Sequence, residues 1–176
     1  DWDHEFNKLF EIDKMKVIGA HNRFNLYAAW LVCDSLGFPI EIFKKTLYSF
    51  LGVEHRVERL ESQSIIFNDA KSTNGLALKT AVTAVSEKYK DIVLIMGGRK
   101  RSSDDLPSAA VIKELESRCY KVLCIGEAAL DLEKLSDLFI NVENLEKAKE
   151  YITENAKEKV LLFSPGYPSF DQYKNY

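Results

Sequence analysis

Long apolar runs are missing from this 176-residue sequence. A helix that crosses a bilayer needs roughly 20 consecutive apolar residues, and no run approaches that length, so we expect no membrane partner. The first residues, Asp1-Trp2-Asp3-His4, have neither an initiator Met nor the pattern of a signal peptide. We therefore expect a cytoplasmic protein whose sequence, as given, begins inside a longer chain.

Cysteine and histidine are also scarce. The three cysteines, Cys33, Cys119 and Cys124, lack the spacing of a metal site, and an odd number of thiols within apolar stretches is typical of reduced core side chains. The three histidines are scattered, so we expect neither a zinc site nor a histidine-activated nucleophile. A net charge of -3 with interspersed signs gives no basic surface for nucleic acid.

A hydrophobic content of 46% can supply a substantial core. Apolar residues at helical spacing predict helices at about 21–36 and 39–51, and strand and helix patterns alternate beyond residue 54. Such alternation predicts an α/β fold with a Rossmann-like, mainly parallel sheet and helices on both faces. We place a boundary near 51–54, which makes 1–53 a helical segment and 54–176 the sheet domain.

The alternating region is predicted to contain five strands, at 64–67, 92–96, 121–125, 138–142 and 159–163. The predicted helices between them lie at about 74–88, 106–118, 128–135 and 145–156. In an open α/β sheet, ligands bind beyond the carboxyl ends of the strands. The loops that follow Phe67, Met96 and Phe163 are rich in polar residues and turn formers, so they are the candidate ligand site.

The loop after Phe67 reads Asn68-Asp69-Ala70-Lys71-Ser72-Thr73-Asn74. A carboxylate, an ammonium group, hydroxyls and amides just where a helix begins are typical of a polar ligand site. Two simpler interpretations are open. Asp69 and Lys71 could form a surface ion pair, and Thr73 or Asn74 could cap the next helix, a role compatible with ligand binding.

The other two loops are equally ambiguous by themselves. After Met96, Gly97-Gly98 would let backbone amides approach an anion, and the cations of 99–101 would supply countercharge, although a plain turn with surface cations fits as well. After Phe163, Ser164-Pro165-Gly166 is typical of a turn, and Ser169 could cap a terminal helix. Only their clustering favours a functional site, for a carboxylate or phosphate ligand.

In order along the chain, several motifs resemble the C-terminal part of the Mur ligase family, from about Gly19 to Tyr176. The Asp-x-Lys-x-Thr-Asn pattern and the Ser-Phe-Asp-Gln run are most similar to the D-glutamate-adding member. The motifs that carry the resemblance are Gly19-Ala20-His21-Asn22 with Asn25, His55-Arg56 with Glu58, Asn68 to Asn74, Gly97-Gly98 with the following cations, and Ser164-Pro165-Gly166 leading to Ser169 through Tyr176.

This resemblance implies an ATP-dependent ligase of peptidoglycan precursor synthesis that adds D-glutamate to UDP-MurNAc-L-alanine through an acyl phosphate. It implies small-molecule partners only, namely D-glutamate, ATP and UDP-MurNAc-L-alanine, and Mg2+ as a cofactor. By resemblance the nucleotide contacts are Asn25, Arg56, Asp69 and Lys71. By resemblance the D-glutamate contacts are Thr73, Lys100 or Arg101, Ser169, Phe170 and Tyr176.

Two departures from the family pattern shape these expectations. The family usually has Lys three residues after the second glycine, where this sequence has Arg101, with Lys100 one place early. No Gly-x-x-x-x-Gly-Lys-Ser/Thr motif is present, although such a loop cradles ATP phosphates. We therefore assign no catalytic residue and no metal ligand here, and expect the ATPase domain and the magnesium ligands upstream and this chain to be inactive alone.

The family's usual Glu-x-Arg-Gly continuation after Tyr176 is absent too, so we expect a trimmed C-terminus. Two other interpretations are open. Another Mur ligase, or the related folylpolyglutamate synthetase, would share the fold with a different substrate. A stand-alone α/β module that binds an acidic metabolite would involve no catalysis.

Overall fold

A computed structural model describes residues 1–103 and 105–171, and none of its helices is both long and apolar enough to cross a membrane. The seven α-helices of this part of the chain are α1 (Trp2–Leu9), α2 (Ala20–Ser35), α3 (Ile40–Ser49), α4 (Gly75–Ser86), α5 (Ala109–Arg118), α6 (Ala129–Leu132) and α7 (Leu145–Asn155). The strands are β1 (Glu58–Arg59), β2 (Ile66–Asn68), β3 (Ile92–Gly97), β4 (Cys119–Ile125), β5 (Phe139–Glu143) and β6 (Val160–Gly166).

The six strands form one sheet in the order β1-β2-β6-β3-β4-β5. Every neighbouring pair is parallel except β1 with β2, which is antiparallel. The chain runs β3, β4, β5 in one direction and then returns to insert β6 between β3 and β2. The carboxyl ends of β2, β6 and β3 therefore lie side by side, which brings the three predicted loops to one edge of the sheet.

Helices cover both faces, as predicted. On β3, Ile92, Leu94 and Met96 point into a core that contains α4, α5 and α6, whereas Val93 packs into a second core with Ala148 of α7. Side chains alternate across a strand, so a strand buried on both faces must be apolar at every position. This accounts for the continuous apolar run of β3 in the sequence.

The N-terminal helices bury a third apolar cluster, built around Phe6, Phe10, Met15, Trp30 and Leu47. This cluster is separate from the two cores of the sheet. A polar contact joins the two parts of the chain, because Glu87, at the end of α4, accepts hydrogen bonds from the Ala20 amide at 3.3 Å and from Arg23 Nη1 at 3.1 Å.

Several predicted boundaries were wrong. Ser164-Pro165-Gly166, predicted as a turn, continues β6, because Gly166 pairs with Gly97 of β3 and donates its amide to the Ser72 carbonyl at 2.8 Å. Helix α5 starts at Ala109 rather than near residue 106, as Pro107 disfavours helix in the residue before it. Helix α1 and the two-residue strand β1 were missed altogether.

Candidate functional site

The site lies at the carboxyl edge of β2, β6 and β3, where the three polar loops converge. Two cavities open there. We call the first, of about 570 Å³, the basic cavity; it is lined by Thr73, Arg99, Lys100, Arg101, Pro168 and Phe170. The second, of about 540 Å³, is the edge cavity; its lining includes His55, Asn68, Lys71, Thr73, Phe163 and Ser169.

Thr73 lines both cavities and so connects them. It directly precedes Asn74, the N-cap of α4, whose Oδ1 accepts a hydrogen bond from the Ala77 amide at 2.9 Å. Of the two predicted caps, Asn74 therefore performs the capping role, and this fixes Thr73 at the start of the helix. The Thr73 carbonyl accepts a hydrogen bond from the Arg101 guanidinium, so the loops after β2 and β3 are in direct contact.

Asp69 is buried at the centre of the edge, with 3% of its surface exposed. Its Oδ2 accepts a hydrogen bond from Ser164 Oγ at 2.7 Å, and its Oδ1 accepts one from the Val57 amide at 3.2 Å. Its own amide donates to the Phe163 carbonyl at 2.7 Å. Asp69 thereby ties together β6, the loop after β2 and the turn before β1, which makes it a positioning residue in this arrangement.

No ion pair joins Asp69 to Lys71 within 1–103 and 105–171, so the surface-pair interpretation of these two residues was wrong. The reason is burial, because the Asp69 carboxylate points inward to protein donors while Lys71 is exposed. Burial raises the pKa of Asp69 above the ordinary value of 3.8, and the hydrogen bonds from Ser72, Ser164 and Val57 oppose that rise.

The turn before β1 holds His55 and Val57 in left-handed backbone conformations, with φ of 62° and 49°. For residues with a Cβ this conformation is strained and needs support from the surrounding structure. The loop after β2 supplies it. The Lys71 amide donates to the His55 carbonyl at 3.2 Å, and the Asn68 side-chain nitrogen lies 2.9 Å from His55 Nδ1.

Two interpretations were open for Gly97 and Gly98, an anion site and a plain turn, and the contacts of this loop favour the second. A Cβ on Gly97 would lie 2.1 Å from the Ile125 carbonyl oxygen, and one on Gly98 would lie 2.5 Å from the Pro168 carbonyl oxygen. The Gly98 amide donates to Ile125 at 3.1 Å and the Arg99 amide to Pro168 at 2.8 Å. These two amides are engaged by protein carbonyls, so the glycines serve close backbone packing.

The neighbouring cations differ in their surroundings. Lys100 forms a short ion pair with Asp131 of α6, and this hydrogen bond raises the pKa of Lys100 and lowers that of Asp131. Arg101 is half exposed, contacts the Thr73 carbonyl and lies 3.5 Å from the Asp105 carboxylate. The cation nearer to the D-glutamate-binding candidate Thr73 is therefore Arg101.

Of the remaining residues predicted to contact ligands, some line one of the two cavities and others do not. Ser169 lines the edge cavity and Phe170 the basic cavity. Asn25 on α2 and Arg56 in the turn before β1 are exposed and line neither cavity. Tyr176, and the terminal helix that Ser169 was suggested to cap, lie outside the described residues.

No local pattern in the sequence indicated that Asp131 would pair with Lys100 or that Ser164 would be a buried donor to Asp69. Asp131 lies in a short helix beyond the next strand, and Ser164 was assigned to a turn. A cation site is not evident either, because the described residues contain no group of three or more His, Cys, Asp or Glu side chains arranged around a common point.

Comparisons with known proteins agree on one family, although no family model matches. The UDP-N-acetylmuramoylalanine--D-glutamate ligase of Elusimicrobium minutum is 35% identical over 173 residues, covering 94% of this chain and 37% of the relative. The enzyme of the same name from Aquifex aeolicus is 31% identical over 178 residues, covering 96% of this chain and 41% of the relative. The chain thus spans about two fifths of these relatives.

Solved structures share the fold at low sequence identity. MurF from Acinetobacter baumannii superposes with a TM-score of 0.64 and 17% identity, covering 89% of this chain and 36% of that one. A Mycobacterium tuberculosis folylpolyglutamate synthase, complexed with ADP and AMPPCP, gives a TM-score of 0.64 and 16% identity, covering 87% and 39%. The curated relatives and the solved structures therefore agree that this chain is similar to the C-terminal part of Mur ligases and has their fold.

Proposed function

We propose that this chain is the C-terminal part of an ATP-dependent ligase that joins D-glutamate to UDP-N-acetylmuramoyl-L-alanine. The names of the relatives and the convergence of Thr73, Arg101 and Ser169 at one edge of the sheet support this proposal. The observation that carries it is the Arg101 to Thr73 contact, because it joins a cation and a hydroxyl-bearing residue beside one open cavity.

In the proposed reaction, the alanyl carboxylate first receives the γ-phosphoryl group of ATP. The amine of D-glutamate then attacks the acyl carbon, a C–N bond forms, the C–O bond to phosphate breaks, and the amine loses a proton. The residues of this chain bind and orient the participants. Arg101, Thr73, Ser169 and Phe170 hold D-glutamate in the basic cavity and beside it, while Lys100 is held by Asp131. The family resemblance adds Tyr176 as a further D-glutamate contact.

The nucleotide side of the proposal involves Asn25, Arg56, Asp69 and Lys71. Lys71 and the turn that carries Arg56 lie at or next to the edge cavity, which supports a phosphate-binding role for these two cations. Asp69 has both carboxylate oxygens engaged by the protein. We therefore propose that it acts on the nucleotide through the loops that it positions, with a ribose contact as the alternative.

The domain boundary is part of this proposal. Residues 1–53 would belong to the preceding ATP-binding domain and residues 54–176 would form the ligase domain. Support comes from the separate apolar cluster of the N-terminal helices and from exposed apolar side chains on α2, including Leu31 at 49% and Val32 at 59% exposure. Surfaces of this kind are typical of faces that another domain covers. Magnesium ligands and the phosphate loop would come from that upstream part.

We propose that the complete enzyme acts in the cytoplasm. The test of its function is an assay of phosphate release by the purified complete enzyme. We expect ATP consumption that requires both D-glutamate and UDP-MurNAc-L-alanine, and no turnover by the 176-residue chain alone, since it has no phosphate-binding loop. L-glutamate and diaminopimelate serve as controls. Turnover with another amino acid in place of D-glutamate would favour a different Mur ligase or a folylpolyglutamate synthetase, which share the fold.

A non-catalytic binding module is the remaining candidate. It predicts that D-glutamate or a related metabolite binds this chain tightly. It also predicts that the gene encodes no phosphate-binding loop upstream of this chain. Amide formation in a single turnover by the isolated chain would contradict both the module and our proposal of an inactive part.

A further inference from the structure

The basic cavity contains three consecutive cations, and they differ in what they contact. Lys100 is paired with Asp131, and Arg101 is near Asp105 and bonded to the Thr73 carbonyl. Arg99 is exposed in the lining of the cavity, and its guanidinium makes no ion pair or hydrogen bond with any residue that the structure describes. Among the contacts that the structure describes, Arg99 is therefore the one cation of the three with no protein partner.

The backbone of Arg99 is firmly held, although its side chain is free. Its amide donates to the Pro168 carbonyl at 2.8 Å. The preceding Gly98 has φ of 137°, and a Cβ there would lie 2.5 Å from the same carbonyl oxygen, so only glycine permits this approach. Arg99 is thus anchored to the loop after β6, whereas Arg101 is anchored to the loop after β2.

We infer that Arg99 is a specificity residue that binds the second carboxylate of an acidic amino acid whose first carboxylate is held by Arg101. This inference rests on the proposed function and adds a residue that the family resemblance did not indicate. Two guanidinium groups anchored to different loops of one cavity suit a dicarboxylate, because each can form a charge-assisted, bidentate pair. A ligand with only one carboxylate would leave one of them unpaired.

The experiment measures the binding of three ligands to wild type and to three variants of the chain. D-glutamate, D-glutamine and D-isoglutamine are titrated into the 176-residue protein and followed by NMR shifts of the loop amides. The two amides each replace one carboxylate of D-glutamate without changing the carbon skeleton. Wild type is compared with Arg99→Gln and Arg101→Gln, and with Lys90→Gln, which removes an exposed charge from the loop before β3, at the opposite edge of the sheet.

We expect Arg99→Gln to weaken D-glutamate binding about tenfold and to leave one of the two amide ligands nearly unaffected, since that ligand has already lost the matching carboxylate. Arg101→Gln should show the same pattern with the other amide. Lys90→Gln should bind all three like wild type. Folding of each variant is checked by its amide spectrum and thermal midpoint.

The outcomes separate this inference from the proposed function. Equal weakening of all three ligands by Arg99→Gln would mean general electrostatic attraction, and no weakening would mean that Arg99 is a surface cation. Either result overturns the inference, while an intact Arg101 effect keeps the proposed site. Absence of D-glutamate binding to wild type, or shifts elsewhere in the molecule, would overturn the proposed site itself.

Discussion

Ser164 Oγ donates a 2.7 Å hydrogen bond to Oδ2 of Asp69, and both residues are buried at the carboxyl edge of the sheet. The pair joins strand β6 to the loop after β2, across 95 positions of sequence. Each residue thereby fixes a loop that carries other site residues, since Thr73 follows Asp69 and Ser169 follows Ser164.

Ser164→Ala removes one donor from a buried carboxylate. We expect a loss of roughly 1.5 to 3 kcal/mol in the free energy of unfolding, because a hydrogen bond to a charged group is lost where water cannot replace it. Urea denaturation measures this loss. Ser35→Ala, which removes an exposed hydroxyl at the end of α2, is the control and should change stability by less than about 0.5 kcal/mol. Equal effects of the two substitutions would contradict the role of the pair.

Asp69→Asn tests the raised pKa of this carboxyl group. A folded-state pKa above the unfolded value means that the stability due to this group is fully present below about pH 3.8 and is lost as pH rises through the folded pKa. We therefore expect the stability of wild type, relative to Asp69→Asn, to fall as the pH rises from about 3.8 through the folded-state pKa. Denaturation curves across this range measure the difference, with Asp137→Asn as an exposed control. A difference that rises with pH would show that the hydrogen bonds outweigh burial.

Arg101→Gln and Lys100→Gln separate the two candidate cations. We expect Arg101→Gln in the complete enzyme to raise the KM for D-glutamate about tenfold, because it removes the cation beside Thr73. The KM for ATP should rise by less. Lys100→Gln should have the smaller effect on D-glutamate and should lower the thermal midpoint slightly, because Asp131 loses one of its two lysine partners and keeps Lys134. Steady-state kinetics with each substrate varied distinguishes the two. A reversed order would place Lys100 at the ligand.

Thr73→Val removes a hydroxyl without removing the contact seen in the structure, since the Arg101 guanidinium bonds to the backbone carbonyl of Thr73. We expect the fold to be retained and D-glutamate use to weaken by roughly 1.5 to 3 kcal/mol, the value of a hydrogen bond to a charged group. Thr80→Val on α4, whose hydroxyl bonds to the Leu76 carbonyl, is the matched control. Unfolding of Thr73→Val would indicate a structural role.

The cysteines should react at very different rates. Burial raises the pKa of Cys119 and of Cys124 to about 12, whereas Cys33 is only partly buried. Because the thiolate is the reactive form, we expect one fast thiol with Ellman's reagent at pH 8 and two more only after unfolding. Cys33→Ser should abolish the fast phase. Two fast thiols in the native protein would contradict the burial of β4.

The sequence predicted the fold well where burial and periodicity coincide. Strand β3 and helices α4 and α7 were found close to their observed bounds, because apolar residues recur there at the spacing of one or two buried faces. The residues that follow the strand ends were also found, since a parallel sheet gathers those ends at one edge. Strand β1, with two residues and one neighbour, has no such pattern.

Contacts between loops could not be read from the sequence. Ser164-Pro165-Gly166 has the composition of a turn, yet pairing of Gly166 with Gly97 extends β6 through it. Asp69 and Lys71 have the spacing of a surface pair, yet the Asp69 carboxylate is buried and accepts hydrogen bonds from Ser164 and Val57 instead. In both cases the partner is distant along the chain, and local propensity is overridden by packing.

The sequence by itself determined the alternating α/β architecture, the family resemblance and the three loops that form the candidate site, because each depends on local residue order. Only the tertiary structure decided how the charges of those loops are divided. Lys100 pairs with Asp131, Arg101 bonds to the Thr73 carbonyl, and Arg99 lines the cavity with no partner among the described residues. The reason is physical: ion pairs and hydrogen bonds depend on distances in space, and adjacent residues in one loop point to different neighbours.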